Sequence, residues 1–186
     1  MKDVISVISG ILFVCGLIPY IVAILQKKIK PVMASWLVWA IIDTLIMCAM
    51  CAKNSTNGQI IGAGIGMWVV VFFIFRHGTT GSWTRVDKFC FCLSILGIVL
   101  WQLYENPILG LFLSLCAAFI STIPTFVSVW KDPLREDKLT WLLLWLSCVF
   151  AVIAIPQWTF AAAAQPVEFF TIETIMVLLI FRRRKT

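Results

Sequence analysis

Three carboxylates interrupt stretches that are otherwise apolar, and they are the residues whose chemistry most needs an explanation: Asp43, Glu168 and Glu173. Asp43 lies about 15 Å into its stretch at helical rise. In a bilayer that is close to the midplane, where an ionised aspartate costs about 3 kcal/mol even on a mild insertion scale. Trp36, Trp39 and Asp43 follow an i, i+3, i+7 spacing, which puts all three on one helical face. A second apolar stretch carries Trp141, Trp145 and Cys148 on the corresponding face. Facing each other, the two sets would enclose an aromatic slot with a carboxylate on one side and a thiol on the other. Glu168 and Glu173 are five residues apart, about 140° around a helix. One of them is expected to line a pathway and the other to bond a neighbouring helix. No basic residue lies at the same depth as any of the three acids. What remains to satisfy them is a proton, a bound cation or a cationic substrate. The plainer readings are interfacial anchoring for Trp36 and Trp141, simple packing for Cys148 and structural hydrogen bonds for each acid. Trp68, following Gly62, Gly64 and Gly66, is a weaker pocket candidate; the glycines read as a close helix contact.

These residues are positioned by a pattern that occurs twice. Ile18-Pro19 followed by Ser35-Trp36 returns as Ile123-Pro124 followed by Thr140-Trp141, at a constant offset and without a gap. Each copy is an apolar run broken by proline, a short charged turn, and a second apolar run opened by a hydroxyl residue and tryptophan: a helical hairpin used twice. Pro19 and Pro124 each remove a backbone donor inside a predicted helix, so both are candidate hinges, with a static kink as the alternative. Asp43 falls opposite Cys148 in this alignment, so the acid is not duplicated.

Composition fixes the solvent. Hydrophobic residues make up 61% of the 186 and charged residues 13%, too little polar surface for a soluble domain. Seven apolar stretches approach the length needed to cross a hydrocarbon core of about 30 Å. They are predicted near 4–26, 33–52, 59–75, 89–104, 106–130, 139–155 and 160–181. The first is read as a retained span rather than a signal peptide, because no small-residue cleavage site follows it. The seven cysteines fall in or beside these stretches and read as small apolar residues; Cys48-x-x-Cys51 lacks the strand and helix context of a redox motif. Basic residues cluster in alternate connections, at Lys27 to Lys30, Arg76 to Lys88, Lys131 to Lys138 and Arg182 to Lys185. The positive-inside rule then predicts an external N-terminus and a cytoplasmic C-terminus. The same clustering explains the net charge of +6 without nucleic acid as a partner.

The resulting fold class is an all-α integral membrane protein. Residues 1–77 form a first triple-helix bundle, 78–105 a connection and linker helix, and 106–186 a second bundle with a basic tail. Two units with an odd number of spans can share one orientation only if an extra crossing separates them, and the fourth span serves as that inversion linker. Such a parallel repeat is one of the arrangements found in secondary transporters. This 3+1+3 layout, with a proline in the first helix of each bundle and a basic turn closed by Ser35 or Thr140, resembles the PQ-loop and SWEET transporter superfamily. The closely spaced tryptophans are similar to those of nicotinamide riboside transporters of related architecture. In the superfamily glutamine follows the proline, whereas here Tyr20 and Thr125 follow it. The resemblance implies alternating access, with Pro19 and Pro124 as hinges.

The expected activity is transport of a small solute through a midplane aromatic and acidic site, with proton coupling open. The solute is a nucleoside-like vitamin, an amine or amino acid, or a sugar. A binding or sorting receptor on the same fold is the alternative. An intramembrane enzyme is not expected, since no paired catalytic motif is evident, and a retinal photoreceptor fails for want of a lysine in the seventh span. No cofactor or metal is expected; the lipid bilayer is the surrounding partner, and a homo-oligomer is compatible with the sequence.

Overall fold

The structure, a computed structural model, describes residues 1–28, 33–77, 83–133 and 136–182, and only the backbone at 34 and 35. The described residues form seven helices and no strand: α1 (Lys2–Leu25), α2 (Met33–Ala52), α3 (Gly58–His77), α4 (Arg85–Tyr104), α5 (Pro107–Lys131), α6 (Lys138–Ala154) and α7 (Phe160–Phe181). Five of them, α1, α3, α4, α5 and α7, are long and apolar enough to cross a membrane. α2 and α6 are apolar as well, and α6 has 17 residues. The chain is a helical membrane protein.

Local sequence sets the helix ends. α4 begins four residues before its predicted start at Phe89 because Thr84 and Asp87 form a reciprocal capping box ahead of the apolar run. Asn106 caps α5 with Pro107 in its first turn, and Asp137 caps α6 through the Thr140 amide. Lys27, Asn54 and Glu105 adopt positive φ just beyond α1, α2 and α4, where the chain must leave the helix. α1 and α5 continue through Pro19 and Pro124 without a break, and α7 does the same through Pro166.

Contacts between helix ends fix the directions. At one end, the Lys2 ammonium donates to the Ile155 carbonyl at 2.6 Å, the Gly58 amide donates to Ser6 Oγ at 2.7 Å, and Ser55 Oγ donates to the Ala161 carbonyl at 3.0 Å. There α1, α3 and α7 start and α2 and α6 finish; we call it the N-terminal end. At the far end the Arg182 guanidinium covers the Trp130 ring at 4.3 Å, so α5 and α7 finish together. Lys27, Arg76, Arg85 and Lys131 share this basic end through the helices they flank.

The neighbours follow a rule. α3 packs against both α1 and α2, and α7 against both α5 and α6. Across the middle, α1 packs on α6 and α5 on α2. Exchanging α1 with α5, α2 with α6 and α3 with α7 turns each of these contacts into another one. α4 alone stands outside the exchange, packed on α5 and α2. Glycines allow the tightest approaches. A Cβ on Gly62 would come within 2.9 Å of the Gly10 carbonyl oxygen, and one on Gly66 within 2.6 Å of Leu17. One on Gly64 would meet Met47 Sδ at 2.9 Å, so the glycine run of α3 is a two-sided packing surface against α1 and α2.

Candidate functional site

Between the two sets of three helices lies a cavity of about 90 Å³. Every helix except α4 contributes to its wall. The repeat is visible in the lining itself: Phe13 and Ala118, Leu17 and Thr122, Trp36 and Trp141, Trp39 and Leu144, and Met67 and Ile172 all face it. Each of these pairs is separated by 105 positions, the spacing of Pro19 from Pro124. Equivalent positions therefore look at one another across a single void.

The first set of aromatic residues lines one wall of the cavity. Trp36 lies tilted against Tyr20 with ring centroids 4.6 Å apart and meets Trp39 edge-on at 5.5 Å. The Trp39 indole N–H donates to Ser121 Oγ at 2.7 Å, tying α2 to α5. Trp141 also lines the cavity, and its N–H donates to Glu136 Oε2 at 3.1 Å. Glu136 precedes α6 outside the apolar span, and burial raises its pKa, reinforced by the neighbouring Asp137 and opposed by the Trp141 hydrogen bond.

Two carboxylates reach the cavity. Asp43 is 5% exposed and Glu173 8% exposed. Glu173 Oε2 has no hydrogen-bond partner, and no hydrogen bond reaches the Asp43 carboxylate from any described residue. The described lining residues include no lysine, arginine or histidine. A buried carboxylate without a donor is expensive, so its proton or its counter-ion must come from outside the described lining residues.

Four candidates lie elsewhere. Trp145 turns to α7, where its N–H donates to Thr174 Oγ1 at 3.0 Å and its ring packs on Phe170. The reason is register: the position equivalent to Trp39 is Leu144, and moving one residue along a helix rotates the side chain by about 100°. Trp68 is 42% exposed on the outer surface and donates to Thr44 Oγ1 at 2.9 Å. Its neighbour Met67 takes the place on the cavity wall. Glu168 sits in a separate apolar groove between α5 and α7, beside Cys116 and Phe119, with Oε1 unpartnered. Cys148 is fully buried behind the cavity wall, where it accepts from Gln59 Nε2 at 2.9 Å. The thiol is thus part of a seal and not of the aromatic slot.

That seal was not anticipated from the sequence. Above Asp43 and Glu173, toward the N-terminal end, Gln59, Gln165, Ser9 and Ser147 are all 0% exposed. Asn57 Nδ2 donates to Gln165 Oε1 at 2.9 Å, and Gln165 Nε2 donates to Gln59 Oε1 at 3.0 Å. Gln59 Nε2 in turn donates to Ser147 Oγ at 3.2 Å. Ser147 Oγ donates to the Ser9 carbonyl at 2.8 Å, and Ser9 Oγ to the Ser147 carbonyl at 3.0 Å. The chain of bonds joins α1 and α3 on one side to α6 and α7 on the other. Its sequence signal was modest: two glutamines near the starts of apolar helices, where a polar residue reads as an interface residue. The cavity, in contrast, reaches the first turns of α2 and α6 at the basic end.

Cys48 and Cys51 are free and exposed, as are Cys15 and Cys92, and His77 stacks on Phe73. No group of acidic, cysteine and histidine side chains suited to hold a metal ion occurs among the described residues. Comparison with protein-family models, with curated proteins and with solved structures finds no match to this chain.

Proposed function

We propose that this chain is a small-solute membrane transporter in which two like-oriented three-helix units, residues 1–77 and 106–186, rock about the central cavity. All seven helices cross the bilayer in this reading, α4 as the inversion linker of a PQ-loop or SWEET-type arrangement. The N-terminus is external and the basic end cytoplasmic. Pro19 and Pro124 are the hinges, and Asp43 and Glu173 bind the substrate or a coupling proton.

The observation that carries the proposal is the cavity wall, where residues 105 positions apart line one void together with two buried acids, Asp43 and Glu173. A cavity formed at the interface of two repeats is the place where a small relative rotation changes access from one side to the other. The buried amide and hydroxyl chain at the N-terminal end closes that side, and its bonds are of a kind that can be broken and remade. No covalent chemistry is required of the site.

The test is uptake into proteoliposomes of a radiolabelled nucleoside-type vitamin, an amine, an amino acid and a sugar, each with and without a pH gradient. At least one should cross faster than into empty liposomes, and Asp43→Asn should abolish that flux while inserting normally. Specific binding without flux for any solute would favour a receptor on the same fold and overturn the transport reading.

A further inference from the structure

The cavity's hydrogen-bonding inventory is lopsided. Of the neutral donors among its described lining side chains, Trp39 N–H is committed to Ser121 and Trp141 N–H to Glu136. Thr122 Oγ1 donates to the Phe119 carbonyl at 2.7 Å, and Thr140 Oγ1 to Asp137 Oδ1 at 2.9 Å. The Trp36 N–H is directed at the Tyr20 hydroxyl oxygen, and the two rings lie against each other, so among the described lining side chains only the Tyr20 O–H remains uncommitted. Against this one donor stand two carboxylates, Asp43 and Glu173, with unused acceptor capacity.

A ligand must complement that inventory. A sugar presents many hydroxyls and needs an array of side-chain donors and acceptors, which this wall does not offer. A zwitterionic amino acid or an organic anion needs a cationic or multi-donor clamp for its carboxylate, and no lysine, arginine or histidine is present among the described lining residues. An organic cation needs neither. Its charge is met by Asp43 and Glu173, and its flat or alkyl body by the faces of Tyr20, Trp36, Trp39 and Trp141, whose ring quadrupoles favour a cation.

From this geometry we infer that the cavity selects a lipophilic organic cation, a planar aromatic ammonium or quaternary amine, over sugars, amino acids and anions. The inference rests on the cavity being the substrate site of the proposed transporter. It removes the sugar and amino-acid options that the sequence alone leaves open.

The experiment uses the full chain in lipid nanodiscs, with N-methylquinolinium and its uncharged isostere 1-methylnaphthalene as probes of tryptophan fluorescence. The cation should bind at least tenfold more tightly than the isostere. Asp43→Asn and Glu173→Gln should each remove at least tenfold of the cation's affinity and leave the isostere unchanged, a split that a general loss of fold would not produce. A thermal-unfolding scan confirms that each isosteric variant is folded. Equal binding of cation and isostere by the parent chain, or full cation affinity in the double variant, would overturn the inference. Cation binding without flux in proteoliposomes sinks the transport reading and leaves the selectivity standing. Flux of a sugar or amino acid with no cation binding does the reverse.

Discussion

Gln59→Leu is the most informative single perturbation, because Gln59 is the junction of the N-terminal seal. Its amide bonds Ser147, Cys148 and Gln165, three hydrogen bonds that reach from α3 to α6 and α7. Interhelical bonds in membranes average about 0.6 kcal/mol, so the three together stabilise the sealed arrangement by about 1.8 kcal/mol, roughly a 20-fold population ratio. Leucine has nearly the volume of glutamine and makes none of the three bonds, so the sealed arrangement loses them without overpacking. Cys148 is 0% exposed beneath the seal and reports its opening directly. The assay is alkylation of Cys148 by a membrane-impermeant maleimide applied from the N-terminal side, with the other cysteines replaced. Labelling in Gln59→Leu should accelerate by roughly 20-fold. Gln165→Leu removes the bonds to Gln59 and Asn57 but leaves the contact between Gln59 and Cys148. It should therefore accelerate labelling less, by roughly 8-fold for two lost bonds. Equal, slow labelling in all three proteins would refute the seal as a two-state element. Fast labelling in Gln59→Leu alone would mean local exposure of the thiol and not opening.

Three further substitutions test separate parts of the account. Leu144→Trp should fill the cavity and abolish ligand binding, while Trp145→Phe, one position along and turned to Thr174, should leave affinity within about threefold, the scale of a single interhelical hydrogen bond. Gly10→Val would drive its side chain into the Gly58 backbone carbonyl, where nothing flexible can yield, and should destabilise the protein by about 1–3 kcal/mol or more in detergent unfolding. Glu136 titrates with a raised pKa, so its burial penalty grows as pH rises through that value and vanishes when the group is protonated. Glu136→Gln keeps an acceptor for Trp141 and should raise the melting temperature near neutral pH. That gain should shrink to nothing as pH falls toward about 4, the ordinary range of a carboxyl group.

The sequence carried the architecture further than it carried the site. Seven helices were legible because each is an apolar run between charged or glycine-rich turns. The offset that aligns Pro19 with Pro124 also fixed which residues would be equivalent, and the cavity wall obeys it. Asp43 was legible because an acid at that depth has no cheap explanation. Trp145 was misplaced because helical spacing accepts i+3 and i+4 alike, while the cavity accepts only the residue in register with Trp39, which is Leu144. Choosing between Glu168 and Glu173 required knowing how α7 is rotated against α5 and α6, and periodicity in an almost uniformly apolar helix does not say. The Gln59 and Gln165 network was hidden for a related reason: its members come from separate helices, and each alone looks like an ordinary polar residue near a helix end. α4 started early because a capping box, not hydropathy, sets the first turn.

The central claim is that the two units exchange access to one cavity, and paired distance measurements test it most directly. Spin labels at Asn54 and Gln157 report the N-terminal end, and labels at Lys27 and Lys131 report the basic end; all four positions are exposed. Pulsed electron resonance in lipid should reveal two populations with reciprocal distances, the first pair short where the second is long and the reverse, with an organic cation changing their ratio. A single population at both ends, unmoved by any bound ligand, would contradict the account.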